Sequence, residues 1–262
     1  PQSTFVGYQS GYSSTGGYNS GFGHSAGRGI TSGQYNTAIG MEAGYSLGAA
    51  TKCVAVGHQA LYTNTANNNT AVGYQSLYAN TTGTPNTALG YTALRTNTTG
   101  NYNTASGWQA MYNNTTGSSN ASFGANALVN NTTGSYNTAM GHESMLLNTT
   151  ASNNTAVGYQ ALYTNTTGTS VDAFGYQTAY SNTSGSSLAA FGTYALFSNT
   201  TGVKNTAIGS GLAGSVFGAL HNNTTGSYNV AVGTEALRGN TTASNNTAVG
   251  YQAGYSNTTG AY

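Results

Sequence analysis

Charge is what this chain has least of. Only 3% of its 262 residues are Asp, Glu, Lys or Arg, against about a quarter in an ordinary globular domain. Five cations and four anions leave a formal net charge of +1. That removes any electrostatic pull towards nucleic acid or an anionic membrane surface. Proline occurs twice, and the 38 glycines follow no Gly-X-Y period, which excludes collagen. A single cysteine, Cys53, excludes an intrachain disulfide framework. No apolar run is long enough to span a bilayer, and the opening PQSTFVGYQS lacks the pattern of a signal peptide. A secreted form would take its targeting segment from outside this stretch.

What is present is a period. The segment Asn154 to Ser170, NTAVGYQALYTNTTGTS, recurs in variants along almost the whole chain. Its glycine marks the phase at Gly40, Gly57, Gly73, Gly90, Gly107, Gly124, Gly141, Gly158, Gly175, Gly192 and Gly209, and again at Gly233 and Gly250. The spacing is 17, with one step of 16 after Gly57 and one of 24 after Gly209; Gly7 and Gly23 extend the series in degraded form. Fixed periodicity of this length indicates stacked structural units.

Numbering the first Asn as position 1 puts Thr at 2, Ala at 3, a large apolar residue at 4 and Gly at 5. Alternation over positions 2 to 4 predicts a short strand. Val54 and Val230 replace Thr at position 2, so positions 2 and 4 are expected to face inward and Ala outward. A second strand is expected over positions 6 to 10, as in Tyr159 to Tyr163. A turn through Asn-Thr-Thr-Gly at positions 12 to 15 follows, with Gly supplying a positive φ. Turn residues leave no room for a stable helix. The expected fold is an all-β, parallel β-solenoid of about fifteen 17-residue coils. It forms one repeat domain over 1–262, a rod of roughly 70 Å at one strand spacing per coil. Coils in 1–35, rich in Gly and Ser, are expected to be looser. Residues 210–216 are expected to form a loop insertion, and the deletion near Asn69 to be absorbed in a turn. Neither end shows a polar capping repeat, so open strand edges are expected there, either as a window on a longer array or as surfaces that stack end to end.

So narrow a coil buries few apolar side chains against the entropy of ordering it. The balance must come from stacked backbone hydrogen bonds, from Asn ladders at positions 1 and 12, from Tyr stacks, and from association through the Ala strip.

Residues with chemical potential are scattered. Glu42, Glu143 and Glu235 share position 7, where Gln is usual, and Asp172 stands elsewhere; they form no acid/base pair. His24, His58 and His142 replace Tyr at position 6 and His221 replaces it at position 10, never in adjacent coils as a metal site would need. Cys53 takes the place of an Asn. No enzymatic centre, metal or cofactor is expected. Asn80, Asn97, Asn131, Asn165, Asn199 and Asn240 match the N-glycosylation triplet; the competing reading is a turn amide forming a ladder. Surface aromatics at positions 6 and 10 suit sugar stacking, and Thr rows suit an ice lattice, so a carbohydrate- or ice-binding module is the alternative function.

The steps Asn-Thr-Ala-Val-Gly and Cys53 to Gly57, Cys-Val-Ala-Val-Gly, resemble the Ser-Val-Ala-Ile-Gly signature of YadA-like trimeric autotransporter heads. The fuller NTAVGYQALYTNTTG unit resembles arrays in bacterial surface proteins and phage tail-fibre-like proteins. The likeness covers residue 36 onward, although the coil here is longer than the usual head repeat. It implies a left-handed β-roll assembled as a homotrimer. Together with the repeat, this predicts a structural and adhesive fibre protein at a cell surface, outside the cell or in a virion tail fibre. Its expected partner is itself, as a homotrimer or head-to-tail filament, with a host-surface or glycan receptor. Neither nucleic acid nor membrane insertion is expected.

Overall fold

The computed structural model describes residues 2–212, 214 and 216–260. The chain divides into two compact units, Pro1–Thr133 and Gly134–Tyr262. The first carries β1 (Thr4–Val6), β2 (Ser20–Phe22), β3 (Thr37–Ile39), β4 (Val54–Val56), β5 (Thr70–Val72), β6 (Thr87–Leu89), β7 (Thr104–Ser106) and β8 (Ala121–Phe123). The second carries β9 (Thr138–Met140), β10 (Thr155–Val157), β11 (Val171–Phe174), β12 (Leu188–Phe191), β13 (Thr206–Ile208), β14 (Val230–Val232) and β15 (Thr247–Val249). Within each unit every strand pairs in parallel with its sequence neighbours, at matching repeat positions: Thr70, Ala71 and Val72 lie opposite Thr87, Ala88 and Leu89. The fold is all-β, a parallel β-solenoid with one short strand per coil, as the period predicts.

The strand's facing is the reverse of the expectation. Ala38, Ala71, Ala88, Ala156 and Ala207 at position 3 are fully buried, while Ile39, Val72, Leu89 and Ile208 at position 4 are exposed. In regular coils the position-9 side chain and the two Asn leave room only for Ala or Ser at this point of the lumen; Phe5 enters it in the first coil, where Gly11 and Gly21 leave the space free. The interior of a typical coil is therefore Ala at positions 3 and 8, one Leu or Met at position 9 (Leu77, Leu94, Met111, Leu162, Leu196), and the two Asn. Val at position 2 points outward, where Thr and Val are both tolerated.

The second strand is also corrected. Positions 6 to 10 form consecutive turns, because positions 7 and 9 are both left-handed: Gln160 has φ 51° and Leu162 φ 54°, Gln109 φ 55° and Met111 φ 52°. The turns still bond from coil to coil. Gln160 N–H donates to the carbonyl of His142 in the coil before (3.0 Å), and Leu162 N–H to that of Thr178 in the coil after (2.9 Å). An irregular backbone is tolerated because its polar groups find partners in the stack.

The Asn residues form two interior ladders. At position 12, Asn182 Nδ2 donates to Asn165 Oδ1 (2.8 Å) and to the Gly185 carbonyl of its own turn (2.9 Å). At position 1, Asn154 Oδ1 accepts the N–H of Val171 in the next coil (3.0 Å) and its Nδ2 donates to Gly168 O (2.9 Å). Gly168 itself needs no positive φ, contrary to expectation. A Cβ there would sit 2.3 Å from the next coil's Gly185 carbonyl and 2.5 Å from Asn165 Oδ1, so close packing demands glycine. The phase glycine has both reasons: Gly158 has φ 136°, and a Cβ would lie 2.3 Å from Gly175 O.

Residues 4–35 keep the strand register: β1 and β2 pair Thr4 with Ser20 and Val6 with Phe22, and Asn36 N–H bonds Asn19 Oδ1 at 2.9 Å. The core side chain merely changes position. Gly27 and Gly44 stand at position 9, and Ile30 and Leu47, buried at position 12, reach into the vacated space, with side-chain carbons 2.8 Å from where each glycine's Cβ would be. The one-residue deletion is taken up in the turn, where Asn64 Nδ2 bonds Ala66 O (2.7 Å) in place of the usual glycine carbonyl.

The insertion lies two residues later than 210–216. Gly211 N–H donates to Thr193 O (2.9 Å), as position 7 does to position 6 of the coil before in regular coils. Ala219 N–H donates to Gly209 O (3.3 Å), as position 8 does. The excursion therefore runs from 212 to 218, closed by the antiparallel bridge of Leu212 and Val216. Residues 213 and 215 of the expected insertion lie outside the described residues, as do Pro1, Ala261 and Tyr262.

Candidate interaction surface

With Ala inside, each strand offers its position-2 and position-4 side chains outward. In the first unit Val6, Phe22, Ile39, Val72, Leu89 and Phe123 form a row between 38% and 55% exposed; in the second, Met140, Phe191, Ile208 and Val249 form one between 38% and 70%. Thr at position 2 is half-buried beside them. The rows carry almost no charge; Asp172, paired with Thr155 and Ala189, is the exception at position 2. Parallel pairing in register turns a preference at one position into a stripe, interrupted in the first unit by Ser106 between Leu89 and Phe123.

Next to the row, position 6 adds a second stripe of rings: Tyr74, Tyr91 and Trp108 in one unit, Tyr159 and Tyr176 in the other, all exposed. Their neighbours stack on them. Tyr74 and Tyr91 lie 5.1 Å apart at 10°, and Tyr159 and Tyr176 5.2 Å apart at 14°. Position 10 repeats the arrangement in Tyr45, Tyr62 and Tyr78 at 5.0 and 5.1 Å. Such stacks cover ring faces and leave edges to solvent. Burial, and then Glu42, raise the Tyr62 phenol above its ordinary pKa; burial and Glu143 do the same for Tyr163.

The residues of chemical interest are absorbed into columns. Each position-7 glutamate accepts from the following glutamine: Gln59 to Glu42 (2.8 Å), Gln160 to Glu143 (2.7 Å) and Gln252 to Glu235 (2.7 Å). Gln75 then donates to Gln59 (2.7 Å) and Arg95 Nε to Gln75 (3.0 Å). His24, His58 and His142 stack on Tyr8, Tyr74 and Tyr159 as aromatic replacements. Cys53 is buried with Sγ 3.2 Å from Ala66 O, and burial pushes its thiol pKa up. Among the described residues, His, Cys, Asp and Glu make no group of three able to hold a metal, and no helix is long and apolar enough to cross a membrane.

The six glycosylation candidates do not reach the surface. Asn80, Asn97, Asn131, Asn165, Asn199 and Asn240 are fully buried, and each Nδ2 donates within the position-12 ladder. A glycan on Nδ2 would need that ladder broken. The sequence signal for the outward row was present in the large apolar residues at position 4, but strand alternation alone does not say which face is inside. Protein-family models, curated proteins and solved structures were compared with the chain, and none matches.

Proposed function

We propose that this chain is a non-enzymatic structural element of an extracellular or surface-displayed fibre, and that it associates with further copies of itself through the outward sheet face. The observation that carries the reading is the exposed apolar row at position 4. A stripe of Val, Ile, Leu, Phe and Met in contact with water marks an interaction site in a soluble protein, and near absence of charge leaves little on it to repel an identical stripe. The resemblance to trimeric heads makes a homotrimer the assembly of choice, with this row at the seam in place of the Ala strip. Adhesion to a receptor would then belong to the remaining outer surface. Where rings occupy successive coils they cover one another's faces, which supports a fibre over a flat sugar-stacking platform.

The test is molar mass in solution. Wild type is expected to sediment as a multiple of 26.5 kDa at micromolar concentration. Leu89→Lys in one unit and Ile208→Lys in the other are each expected to shift it towards the single chain without changing far-ultraviolet circular dichroism, because both side chains already face water. A wild type that sediments as one chain would overturn the proposal.

A further inference from the structure

Rings in successive coils stack face to face along their columns, but one coil turns a ring out of line. Tyr194 occupies position 7, where Gln or Glu is usual, and Thr193 takes the aromatic position 6. The Tyr194 ring stands at 83° to Tyr176, 75° to Phe197 and 84° to His221, with centroids 5.4, 5.6 and 6.1 Å away. Phe197 and His221 continue the position-10 column at 5.1 Å and 10°. The result is a corner of perpendicular rings. Described residues after Gly211 flank it: Phe217 lies 4.4 Å from His221 at 52°, and Leu212 forms part of the wall. The open-sided cavity so bounded measures about 260 Å³.

The walls are held from behind. The Arg238 guanidinium packs 4.0 Å over the Phe217 ring, and Phe217 N–H donates to Glu235 Oε1 at 3.4 Å. His221 Nδ1 bonds Tyr194 O at 3.2 Å. One polar group is left over. Gln177 ends its ladder: Nε2 donates to Gln160 Oε1 at 2.6 Å, and Tyr194 stands where the next donor amide would be. Gln177 lines the cavity, and its Oε1 has no side-chain donor among the described residues. Burial lowers the His221 pKa, so near neutral pH every group lining the cavity is uncharged.

We propose that this cavity binds a neutral pyranose, a single sugar ring of a glycan. Aromatic walls fit the C–H face of such a ring, and a lone amide oxygen fits one hydroxyl donor. The volume lies just below the usual range for ligand pockets, about 300 Å³ and above, which suits one ring and not an extended chain. The uncharged lining disfavours sialic or uronic acids.

The experiment is saturation-transfer NMR on the full chain with methyl glycosides of glucose, galactose, mannose and N-acetylglucosamine. Irradiation of aromatic protons is expected to transfer to ring C–H protons of at least one glycoside, with millimolar affinity. Gln177→Ala is expected to weaken binding about three- to tenfold, the contribution of one hydrogen bond. Deleting 212–218 restores the seventeen-residue spacing, removes Phe217 and Leu212, and is expected to abolish transfer while circular dichroism stays solenoid-like. Should that variant fail to fold, Gln177→Ala still decides. Absence of transfer to every glycoside overturns the proposal. So does undiminished binding in Gln177→Ala, or in the deletion variant where it folds. Binding of phenol with no glycoside bound also overturns it, and would mark a socket for an aromatic side chain.

Discussion

An asparagine at position 12 is donor and acceptor at once, and the ladder uses both ends. Asn182 gives its amide hydrogens to Asn165 and Gly185 and takes one from Asn199. Asn182→Ala therefore removes three hydrogen bonds and strands polar groups in a dry interior. The expected loss is about 2–5 kcal/mol, read as a shift in the urea midpoint. The same burial predicts that intact mass after expression in a glycosylating host will equal the sequence mass; added hexose at Asn165 would contradict the ladder. The position-7 columns follow the same donor logic with charged ends. A carboxylate only accepts and a guanidinium only donates, so Glu42 opens a column that Arg95 closes. His221 makes the residue scale pH-dependent. Its folded pKa lies below 6.5, first by burial and further through Arg238, with its bond to Tyr194 O opposing; Glu235 stands nearby on the Phe217 amide. The unfolded chain then binds more protons, so the stability this group contributes is present above about pH 6.5 and declines as pH falls through the folded value. Melting of His221→Phe is expected to lose part of this acid sensitivity below pH 6.5, and an unchanged pH profile would contradict it.

At the scale of the coil, the sequence spoke clearly about period and strand position and misled about facing. Thr-Ala-Val reads as a strand whichever side is buried. Only the width of the lumen decides, and that width is set by Leu162 and the two Asn ladders rather than by the strand. The second strand was misread for a related reason. Gln160 and Leu162 are left-handed, yet neither residue type announces such a conformation; stacking bonds hold it against its intrinsic cost. Ile30 and Leu47 show what pattern reading could have found, since a glycine at position 9 accompanies a bulky residue at position 12. The facing is testable. Ala156→Val should cost about 1–3 kcal/mol by overpacking, whereas Val157→Thr should change stability by less than about 0.5 kcal/mol. The opposite order of urea midpoints would restore the discarded orientation. Gly158→Ala meets both a left-handed backbone and the Gly175 carbonyl, and is expected to exceed about 2 kcal/mol.

For the whole molecule, the scarcity of charge was legible from composition and bears directly on assembly. Contacts between apolar rows are not screened by salt. Self-association is therefore expected to hold or strengthen as sodium chloride rises from low to high concentration, as followed by sedimentation; dissociation by salt would point to an ionic seam instead. The cavity beside Tyr194 was not legible. It depends on a ring at position 7, a missing ring at position 6 and an excursion that starts at 212, and only their meeting in space makes an opening.

One consequence concerns heredity more than mechanics. Each coil shows the same donors and acceptors to the coil before it as its neighbours do, and the same to the coil after. A gene that loses or duplicates one repeat joins faces that already match. Length can then drift between generations without a new contact having to evolve, while a change of length inside a repeat is tolerated where a turn absorbs it, as between Asn64 and Ala66, or where the extra residues leave the stack, as they do after Gly211.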